Sequence, residues 1–525
     1  MTSTFQPSPK EGTLRKRSTN IKLSPNLSTS KNASPSSSSS SSSYSRIKND
    51  NKRTTQDIGT NIDKQCDSKV LYEFGGPVGV SLIMLLSPLL MSYFYFCLKL
   101  KQGQLQNPFS KDFWMNGMTT IIPNQRAMFI YLGFNLFQLF TAAIMPGIKV
   151  LGLPVPSLGG KRLEYLCNGL ATWYIDLIIV SILHQLGWFS ITSIVDEIGP
   201  IMSVAILTGI VVTIVTYTIG CTTGNTHRMS GSFLYDLFMG AMLNPRIGNV
   251  DMKMWSEIRI PWKILFFISL SAAVKDHELN VARDLLNGTD QENWSIFGGL
   301  LKFHTCRTSA PLLFMTLAHF LYVNACMKGE ECIPTTWDMF YEKWGFMLIF
   351  WNFAGVPFSY CYSTLYLLNR SMAGNPVRHS KVYNTSLFVI LVLAYYVWDT
   401  SNSQKNRFRM QQRGTFVKRN AFPQLPWGTI TNPTYIETKH GNKLLTGGWW
   451  GLARKINYTS DIIMALSWGF ITGFDSFIPY FYAFFLSAVL IHRVGRDNRR
   501  CKAKYGADFD EYCRQVPYIF VPYII

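Results

Sequence analysis

The chain of 525 residues is 47% hydrophobic and carries a formal charge of +19, from 50 Lys and Arg against 31 Asp and Glu. Such a charge suggests nucleic-acid binding, but the basic residues lie mainly in the N-terminal segment, between apolar runs and at the C-terminus. This distribution is typical of a membrane protein with positive loops on the cytosolic side, and it argues against nucleic acid as a partner.

Residues 1–69 form a polar segment of low complexity, with an unbroken serine run from Ser36 to Ser43. So few apolar residues cannot bury enough surface to fold. We therefore predict two regions, a disordered, basic, Ser-rich cytosolic tail and a membrane domain over residues 70–525. The tail has no apolar segment of signal-peptide type, so we expect insertion to use the first internal span.

Ten apolar runs follow, most of them close to the roughly 20 residues that a helix needs to cross a bilayer. They cover residues 76–98, 127–148, 169–189, 200–220, 261–274, 310–326, 345–368, 383–398, 460–473 and 477–492. The pattern predicts an all-α polytopic membrane protein of about eight to ten transmembrane helices, closed by a helical hairpin. The short run 261–274 is compatible with a half-span or a tilted helix.

The connection over residues 399–448 is the longest polar stretch after the tail and contains the motif QKNRFR. Its Lys405 and Arg409 lie four residues apart, so one face of a helical turn would present both charges. The connection over residues 222–262 mixes charges with aromatic and methionine side chains, which indicates an interfacial segment.

The C-terminal segment after residue 492 crowds basic, acidic and tyrosine side chains and ends VPYIFVPYII, which is too apolar to be left in water. Charge and aromatic faces together suit a large anionic ligand with a flat ring. A simple positive-inside anchor is the alternative. The chain has no GxGxxG or GxxxxGK[ST] motif, so a nucleotide would be held by Arg, Lys and aromatic groups. The ten cysteines show no zinc spacing, and we expect no metal site.

Polar groups cluster around the seventh apolar run. Asp338, Tyr341 and Glu342 precede it, Pro357 interrupts it, and Tyr360 follows the proline by three residues. A proline inside a span frees backbone groups and is tolerated where the helix lines a cavity. Any one of these side chains fits a helix–helix hydrogen bond, whereas their clustering indicates a site.

Several long stretches resemble the integral-membrane sterol reductases, which include the sterol C-14 and C-7 reductases and the lamin B receptor. The stretches are WWGLARKINYTSD, SWGFITGF, HRVGRDNRRCKAKYG, YCRQVPYIFVPYI, LNPRIG and QKNRFR, and the resemblance covers residues 71–525. ALSWGFITGFDSFIPYFY and DMFYEKWGFMLIFWN are most similar to the fungal branch that reduces the C24(28) double bond, the last step to ergosterol.

The resemblance implies a multi-pass enzyme of the endoplasmic reticulum membrane that uses NADPH, with the cofactor site facing the cytosol. Its implied partners are a sterol substrate, membrane lipid and other enzymes of the sterol pathway. The family's cofactor-binding positions fall on Lys405, Arg409, Leu445, Trp450, Asn457, Tyr458, Asp497, Cys501, Lys502, Ala503, Lys504, Tyr505 and Tyr512.

The implied chemistry needs an acid, because an isolated alkene accepts a hydride only after protonation. The family has a tyrosine at Tyr360, which we favour as the acid, and Tyr341, Glu342 and Asp338 are the other candidates. Where the C-14 branch reads Gly-Asp before the VPF-Tyr element, this chain has Trp351 and Asn352. The missing Asp argues for a different sterol double bond.

Three alternatives remain open from sequence. The first is reduction of another sterol double bond, at C-14 or C-7. The second is a methyltransferase resembling the isoprenylcysteine carboxyl methyltransferases, which also end in a cationic block with Tyr-Gly and Val-Pro elements. The third is a non-enzymatic, sterol-binding scaffold of the lamin B receptor kind. Binding of NADPH, of S-adenosylmethionine or of neither would discriminate among the reductase, the methyltransferase and the scaffold.

Overall fold

The structure, a computed structural model, describes residues 72–155, 158–287, 293–296, 301–304, 306–416 and 423–524. The predicted N-terminal tail lies outside the described residues. The helices, in chain order, are α1 (Gly76–Lys101), α2 (Lys111–Thr119), α3 (Gln125–Ile144), α4 (Gly169–Gln185), α5 (Ser193–Asp196), α6 (Ile198–Thr222), α7 (Phe233–Met239), α8 (Met252–Arg259), α9 (Pro261–Leu286), α10 (Ala310–Lys328), α11 (Trp337–Phe340), α12 (Phe346–Phe350), α13 (Val356–Ser359), α14 (Tyr362–Met372), α15 (Lys381–Arg413), α16 (Ile456–Phe470), α17 (Phe481–Tyr505) and α18 (Ala507–Gln515).

Strands are few and short, and they pair as two-stranded antiparallel ribbons. The pairs are β1 (Ile148–Val155) with β2 (Lys161–Cys167), β3 (Arg246–Ile247) with β4 (Val250–Asp251), β5 (Asn293–Ile296) with β6 (Leu301–His304), and β7 (Tyr435–Glu437) with β8 (Lys443–Leu445). Each ribbon joins helices rather than forming a sheet core, so the fold is helical throughout.

Each of the ten predicted apolar runs is helical. In the described part of the chain, six helices are long and apolar enough to cross a membrane: α1, α3, α6, α10, α15 and the helix Ile478–Tyr505, which joins a short 3-10 turn to α17. Helix α4 is apolar but has only 17 residues. These helices confirm the predicted class, an all-α polytopic membrane protein.

Helices α15 and α17 continue well beyond the apolar runs that predicted them. The run 383–398 extends to Arg413, because the following residues include Gln, Lys, Arg and Met and no Gly or Pro. The helix ends where Gly414 takes a left-handed conformation, with φ of 66°. Helix α17 likewise continues past residue 492 to Tyr505. Both extensions carry basic residues into the candidate site.

The seventh apolar run is broken, as its proline predicts. Helix α12 ends at Phe350 and is followed by a π-helical turn, Trp351–Gly355, before α13 and α14 resume the direction of the chain. Pro357 lies in the first turn of α13, where its missing N–H costs no helical hydrogen bond. Single π turns of this kind are frequent at functional sites.

Paired charges fix several helices to one another inside the bundle. The Lys263 ammonium of α9 lies 2.6 Å from the Asp176 carboxylate of α4, and both side chains are buried. Gln138 of α3 completes the group, accepting from Lys263 at 2.7 Å and donating to Asp176 at 2.9 Å. A buried ion pair of this kind specifies which helices meet more than it adds to stability.

We expect the Lys263→Met variant to lose about 3–5 kcal/mol of unfolding free energy, because Asp176 then stays buried without its cation. The double variant with Asp176→Leu should recover most of that loss, since no uncompensated charge remains. Thermal unfolding in detergent measures both variants. A double variant no more stable than the single one would contradict this account.

Candidate functional site

The polar end of α15 contributes one side of the predicted cofactor site. The Lys405 ammonium lies 3.8 Å from the centre of the Trp450 ring, in a cation–π contact. The Trp450 indole N–H donates to the Ser401 carbonyl at 2.8 Å, which fixes the ring. Trp450 also packs with Phe408 and Leu445 in a small apolar core of its own. A positive charge is thereby held over a rigid aromatic face.

The turn that carries Trp450 depends on Gly448. Its φ is +61°, and a Cβ there would lie 2.5 Å from the side-chain oxygen of Gln404. That oxygen accepts from the Trp449 backbone N–H at 3.0 Å, while the Gln404 amide donates to the Trp427 carbonyl at 2.8 Å. Any side chain at position 448 would therefore displace the connection between α15 and the tryptophan turn.

The first turn of α16 faces α15 and supplies Asn457 and Tyr458. The Asn457 amide donates to the Asn402 side-chain oxygen at 3.1 Å, but its own oxygen is buried without a hydrogen-bond partner in the described part of the chain. Lys455 forms an ion pair with Asp497, and its ammonium lies 5.6 Å from the Tyr458 ring centre. An unpaired buried acceptor is a place where a bound ligand would donate a hydrogen bond.

The end of α17 brings Asp497, Cys501 and Tyr505 onto one face, because they are spaced four residues apart on the helix. The Cys501 thiol donates to Asp497 at 3.9 Å, and the Tyr505 oxygen accepts from the Asn442 amide at 3.4 Å. Arg409 is exposed on α15 and interacts electrostatically with both Lys405 and Tyr505. Helices α15, α16 and α17 thus converge on one cationic, aromatic cluster.

The residues between Cys501 and Tyr505 lie on the outer side of α17. Lys502 pairs with Asp510 of α18, and both side chains are more than half exposed. Ala503 is exposed, and the Lys504 ammonium lies 5.8 Å from the Tyr505 ring centre. The two ends of this segment therefore make different contacts. Cys501 contacts Asp497 on α17, whereas Lys502 stabilises the packing of α18.

The C-terminal tail folds back onto the start of α16. The Arg454 backbone N–H donates to the Tyr518 carbonyl at 2.9 Å, and the Thr459 hydroxyl donates to the Phe520 carbonyl at 2.7 Å. On α18, burial raises the pKa of Tyr512 to about 12, so its hydroxyl stays protonated at neutral pH. The tail packs against the start of α16 through Tyr518 and Phe520, whereas Tyr523 and Ile524 at its end are exposed.

Tyr360 lies in a separate set of stacked rings, which we name the aromatic cluster: Trp262, Tyr322, Tyr360, Trp468 and Tyr482. The Tyr360 and Tyr482 ring centres are 4.2 Å apart, Tyr482 and Trp468 are 4.6 Å apart, and Trp262 and Tyr322 are 4.4 Å apart. Each of the five comes from a different element: α9, α10, the end of α13, α16 and α17. Such faces stabilise a positive charge between them.

The hydroxyl of Tyr360 has a defined partner. The Trp351 indole N–H donates to the Tyr360 oxygen at 3.2 Å, and the π turn brings the two together across nine residues. A donor at this oxygen would stabilise the phenolate that proton transfer leaves behind. Trp351 is one of the two residues at which this chain departs from the C-14 branch.

Asp461 on α16 connects the two clusters, and sequence reasoning missed it. It is buried, and one of its carboxyl oxygens has no hydrogen-bond partner among the described residues. It follows Asn457 by four residues and precedes Trp468 by seven, so all three share a helix face. The spacing of these three residues is visible in the sequence. However, Asp461 lies inside the apolar run 460–473, where length and hydropathy predict a helix and indicate nothing about a site.

Asp338 and Glu342 lie against α17 rather than beside Tyr360. Asp338 accepts from Arg493 at 3.2 Å, and Glu342 pairs with Arg496 at 3.5 Å. Burial, together with the charge of Asp338, raises the pKa of Glu342. Arg493 also interacts electrostatically with Tyr458, so this acidic group adjoins the cationic, aromatic cluster.

Tyr341 takes part in a four-membered stack with Trp337 and two arginines. The Arg228 guanidinium lies 3.7 Å from the Tyr341 ring centre, Tyr341 stacks on Trp337 at 3.7 Å, and the Arg500 guanidinium lies 3.4 Å from the Trp337 ring centre. Arg500 belongs to α17, so the stack joins that helix to the segment after α6. Its contacts indicate a structural role for the Tyr341 ring.

Comparison with known proteins identifies relatives over nearly the whole described region. The family model described as "Ergosterol biosynthesis ERG4/ERG24 family" matches residues 68–284 and 300–525. The Delta(24(24(1)))-sterol reductase erg4A of Aspergillus fumigatus is 44% identical, covering 87% of this chain and 93% of the relative. The Delta(24(24(1)))-sterol reductase of Gibberella zeae is 42% identical, covering 87% and 74%. A Delta(14)-sterol reductase of Dictyostelium discoideum is 33% identical, covering 86% and 92%.

Proposed function

The chain belongs to the ergosterol biosynthesis ERG4/ERG24 family, and on that premise we propose that this sterol reductase uses NADPH to reduce the C24(28) double bond of a sterol side chain. Two relatives at 42–44% identity carry the name Delta(24(24(1)))-sterol reductase, whereas the Delta(14) relative is 33% identical. Family membership argues against the methyltransferase, and the relatives named sterol reductases favour an enzyme over a non-enzymatic scaffold. Reduction at C-14 or C-7 remains the competing assignment.

The observation that carries the proposal is the convergence of α15, α16 and α17 on one cationic, aromatic cluster. Lys405 and Arg409 offer charge for phosphate groups, and the unpaired Asn457 oxygen offers an acceptor for an amide N–H. The buried Trp450 ring, fixed by its own hydrogen bond, holds the Lys405 ammonium in place. These donors and acceptors fit a phosphorylated dinucleotide, which supplies a hydride when bound.

The contribution of the chain itself is to protonate the alkene. Transfer of the Tyr360 proton to the exocyclic CH₂ carbon would place the positive charge on the tertiary side-chain carbon, the more stable cation. The Tyr482 and Trp468 rings beside Tyr360 would stabilise that charge through their faces. The Trp351 N–H would stabilise the oxygen that has lost its proton.

Sterol analysis tests the proposed bond. Membranes containing the chain should convert a 24(28)-methylene sterol to the saturated product with NADPH, and cells that lack the chain should accumulate the methylene sterol. A C-14-unsaturated sterol offered in parallel is the matched control and should not be consumed. Consumption of only the C-14 substrate would overturn the C24(28) assignment and favour the alternative.

The six candidate spanning helices support a multi-pass membrane protein, and we propose that it resides in the endoplasmic reticulum with the cofactor cluster facing the cytosol. NADPH is available there, and positively charged segments stay on the cytosolic side. N-glycosylation acceptors inserted after Gly414 or appended after Ile525 should therefore remain unmodified. The same acceptor on a secreted carrier provides the positive control. Glycosylation at either position would contradict a shared cytosolic site.

A further inference from the structure

The proposed reduction consumes one proton and one hydride for each sterol, so a buried acid must be supplied with a new proton after every turnover. Tyr360 is 6% exposed and lies among aromatic rings. A phenol in such surroundings gives up its proton reluctantly unless a second acid nearby returns a proton to it. The chain should therefore hold a second proton carrier next to the aromatic cluster.

Asp461 differs from two other buried carboxylates of the bundle, Asp176 and Asp399. Asp176 pairs with Lys263 at 2.6 Å, and Asp399 pairs with Lys328 at 2.5 Å. Asp461 is 8% exposed, yet in the described ranges it makes no ion pair with a basic side chain, and one of its oxygens has no partner. An isolated buried carboxylate is very costly, so this group is suited to carrying a proton.

The surroundings of Asp461 are phenols. Tyr322, Tyr360 and Tyr482 all lie close enough to interact with it electrostatically. The Tyr482 hydroxyl is buried without a hydrogen-bond partner in the described part of the chain, so its donor and acceptor positions are unused. Asp461 thus adjoins the same hydroxyls that line the place proposed for the alkene.

A second carboxyl group, Glu257, lies on α8. The Cys326 thiol interacts electrostatically with both Asp461 and Glu257. Burial, together with the charge of Asp338, raises the pKa of Glu257 to about 8, so this carboxyl is largely protonated at neutral pH. One of its oxygens is also buried and unpaired among the described residues. Glu257 is therefore a second carboxylic acid that interacts electrostatically with Asp338 and, like Asp461, with Cys326.

We propose that Asp461 is the proton carrier of the reductase, a positioning and supply residue that recharges Tyr360 through the neighbouring phenols; this inference rests on the proposed function. In each cycle the Tyr360 O–H bond breaks and a C–H bond forms at the CH₂ carbon. The Asp461 O–H bond then breaks as Tyr360 regains its proton, and Asp461 takes a proton from solvent. Hydride from NADPH completes the second C–H bond and leaves NADP⁺, so atoms and electrons balance.

The test is the Asp461→Asn variant, which keeps the shape of the side chain and removes the transferable proton. We expect kcat to fall by about 10²–10⁴, with the NADPH dissociation constant and the sterol KM within about threefold of wild type. The kcat of Asp461→Glu should be at least about tenfold higher than that of Asp461→Asn, since glutamate returns a carboxylic acid to the same place. If Asp461 only supported the fold, Asp461→Glu would not raise kcat while leaving the other measured properties unchanged.

Asp475→Asn is the matched control, because the Asp475 side chain is 74% exposed in the turn between α16 and α17, 3.9 Å from Arg370. Its kcat should equal that of wild type. A wild-type kcat in Asp461→Asn would overturn the inference, and so would loss of NADPH binding in that variant, since Asp461 would then act through the cofactor cluster. An inactive wild-type protein with NADPH and a 24(28)-methylene sterol would instead overturn the proposed function.

Discussion

Replacing Tyr360 with Phe should lower kcat by about 10²–10⁴, the usual contribution of general acid catalysis, and leave NADPH binding near wild type. The ring that packs 4.2 Å from Tyr482 is kept, so the aromatic cluster loses only the hydroxyl and its hydrogen bond from Trp351. The Lys405–Trp450 contact belongs to other helices and is not disturbed. Rate measured per NADPH-binding site in detergent reports the effect.

Tyr362→Phe is the control for this variant. Tyr362 is also buried, two residues further along the chain, and its hydroxyl donates to the Met91 carbonyl at 3.4 Å on a different side of the bundle. It should lose some thermal stability and no turnover. Near-normal turnover of Tyr360→Phe with a similar loss of stability would show that the hydroxyl only joins helices, and Asp338 and Glu342 would become the leading acids.

The variants Lys405→Ala and Arg409→Ala should each raise the KM for NADPH by about ten- to a hundredfold and change the KM for sterol little. Charge-assisted hydrogen bonds contribute about 1.5–3 kcal/mol each, and each tenfold step corresponds to about 1.4 kcal/mol. Lys405 is fixed over Trp450, whereas Arg409 is exposed, so Arg409 is better placed to reach a ligand phosphate. Preference for NADPH over NADH should shrink in the variant that contacts the 2′-phosphate.

Arg407→Ala is the matched control for the basic residues of α15. It lies two residues from Arg409, and its guanidinium donates to the Thr429 hydroxyl at 2.6 Å, which fixes it outside the cluster. Its KM for NADPH should stay within about threefold of wild type. An unchanged KM and unchanged cofactor preference in both Lys405→Ala and Arg409→Ala would remove these residues from cofactor binding.

Hydropathy predicted the helical runs because each buried or lipid-facing run must form its backbone hydrogen bonds within its own helix. It could not predict where those helices end, since α15 continues to Arg413 after its apolar run stops, through residues such as Gln404 and Phe408 that pack against the Trp450 turn. The break in the seventh run was visible as Pro357, but the π turn before it was not. That turn aligns Trp351 with the Tyr360 hydroxyl, a contact between two side chains that sequence spacing does not reveal.

The proposed cofactor positions could be predicted because long motifs place Lys405, Trp450 and Asn457 in recognisable stretches, and in the structure α15 and α16 bring Lys405 and Asn457 to neighbouring positions. Asp461 could not be predicted from such motifs. Its distinguishing property is the absence of a cation beside a buried carboxyl, which depends on what packs against α16 from other helices. Likewise, the engagement of Asp338 with Arg493 and of Glu342 with Arg496 required the position of α17.

The buried pair between Lys263 and Asp176 has a consequence for how the protein is made. Asp176 on α4 is translated 87 residues before its cation on α9. Asp176 lies in the middle of α4, and a charged residue at such a place costs a few kcal/mol in hydrocarbon, so α4 is a poor lipid-facing segment until Lys263 of α9 pairs with it. The nascent chain should therefore keep α4 next to the insertion machinery, or shielded by Gln138, until α9 emerges. Chains truncated just before Pro261 should accordingly be degraded faster than chains truncated just after Leu286.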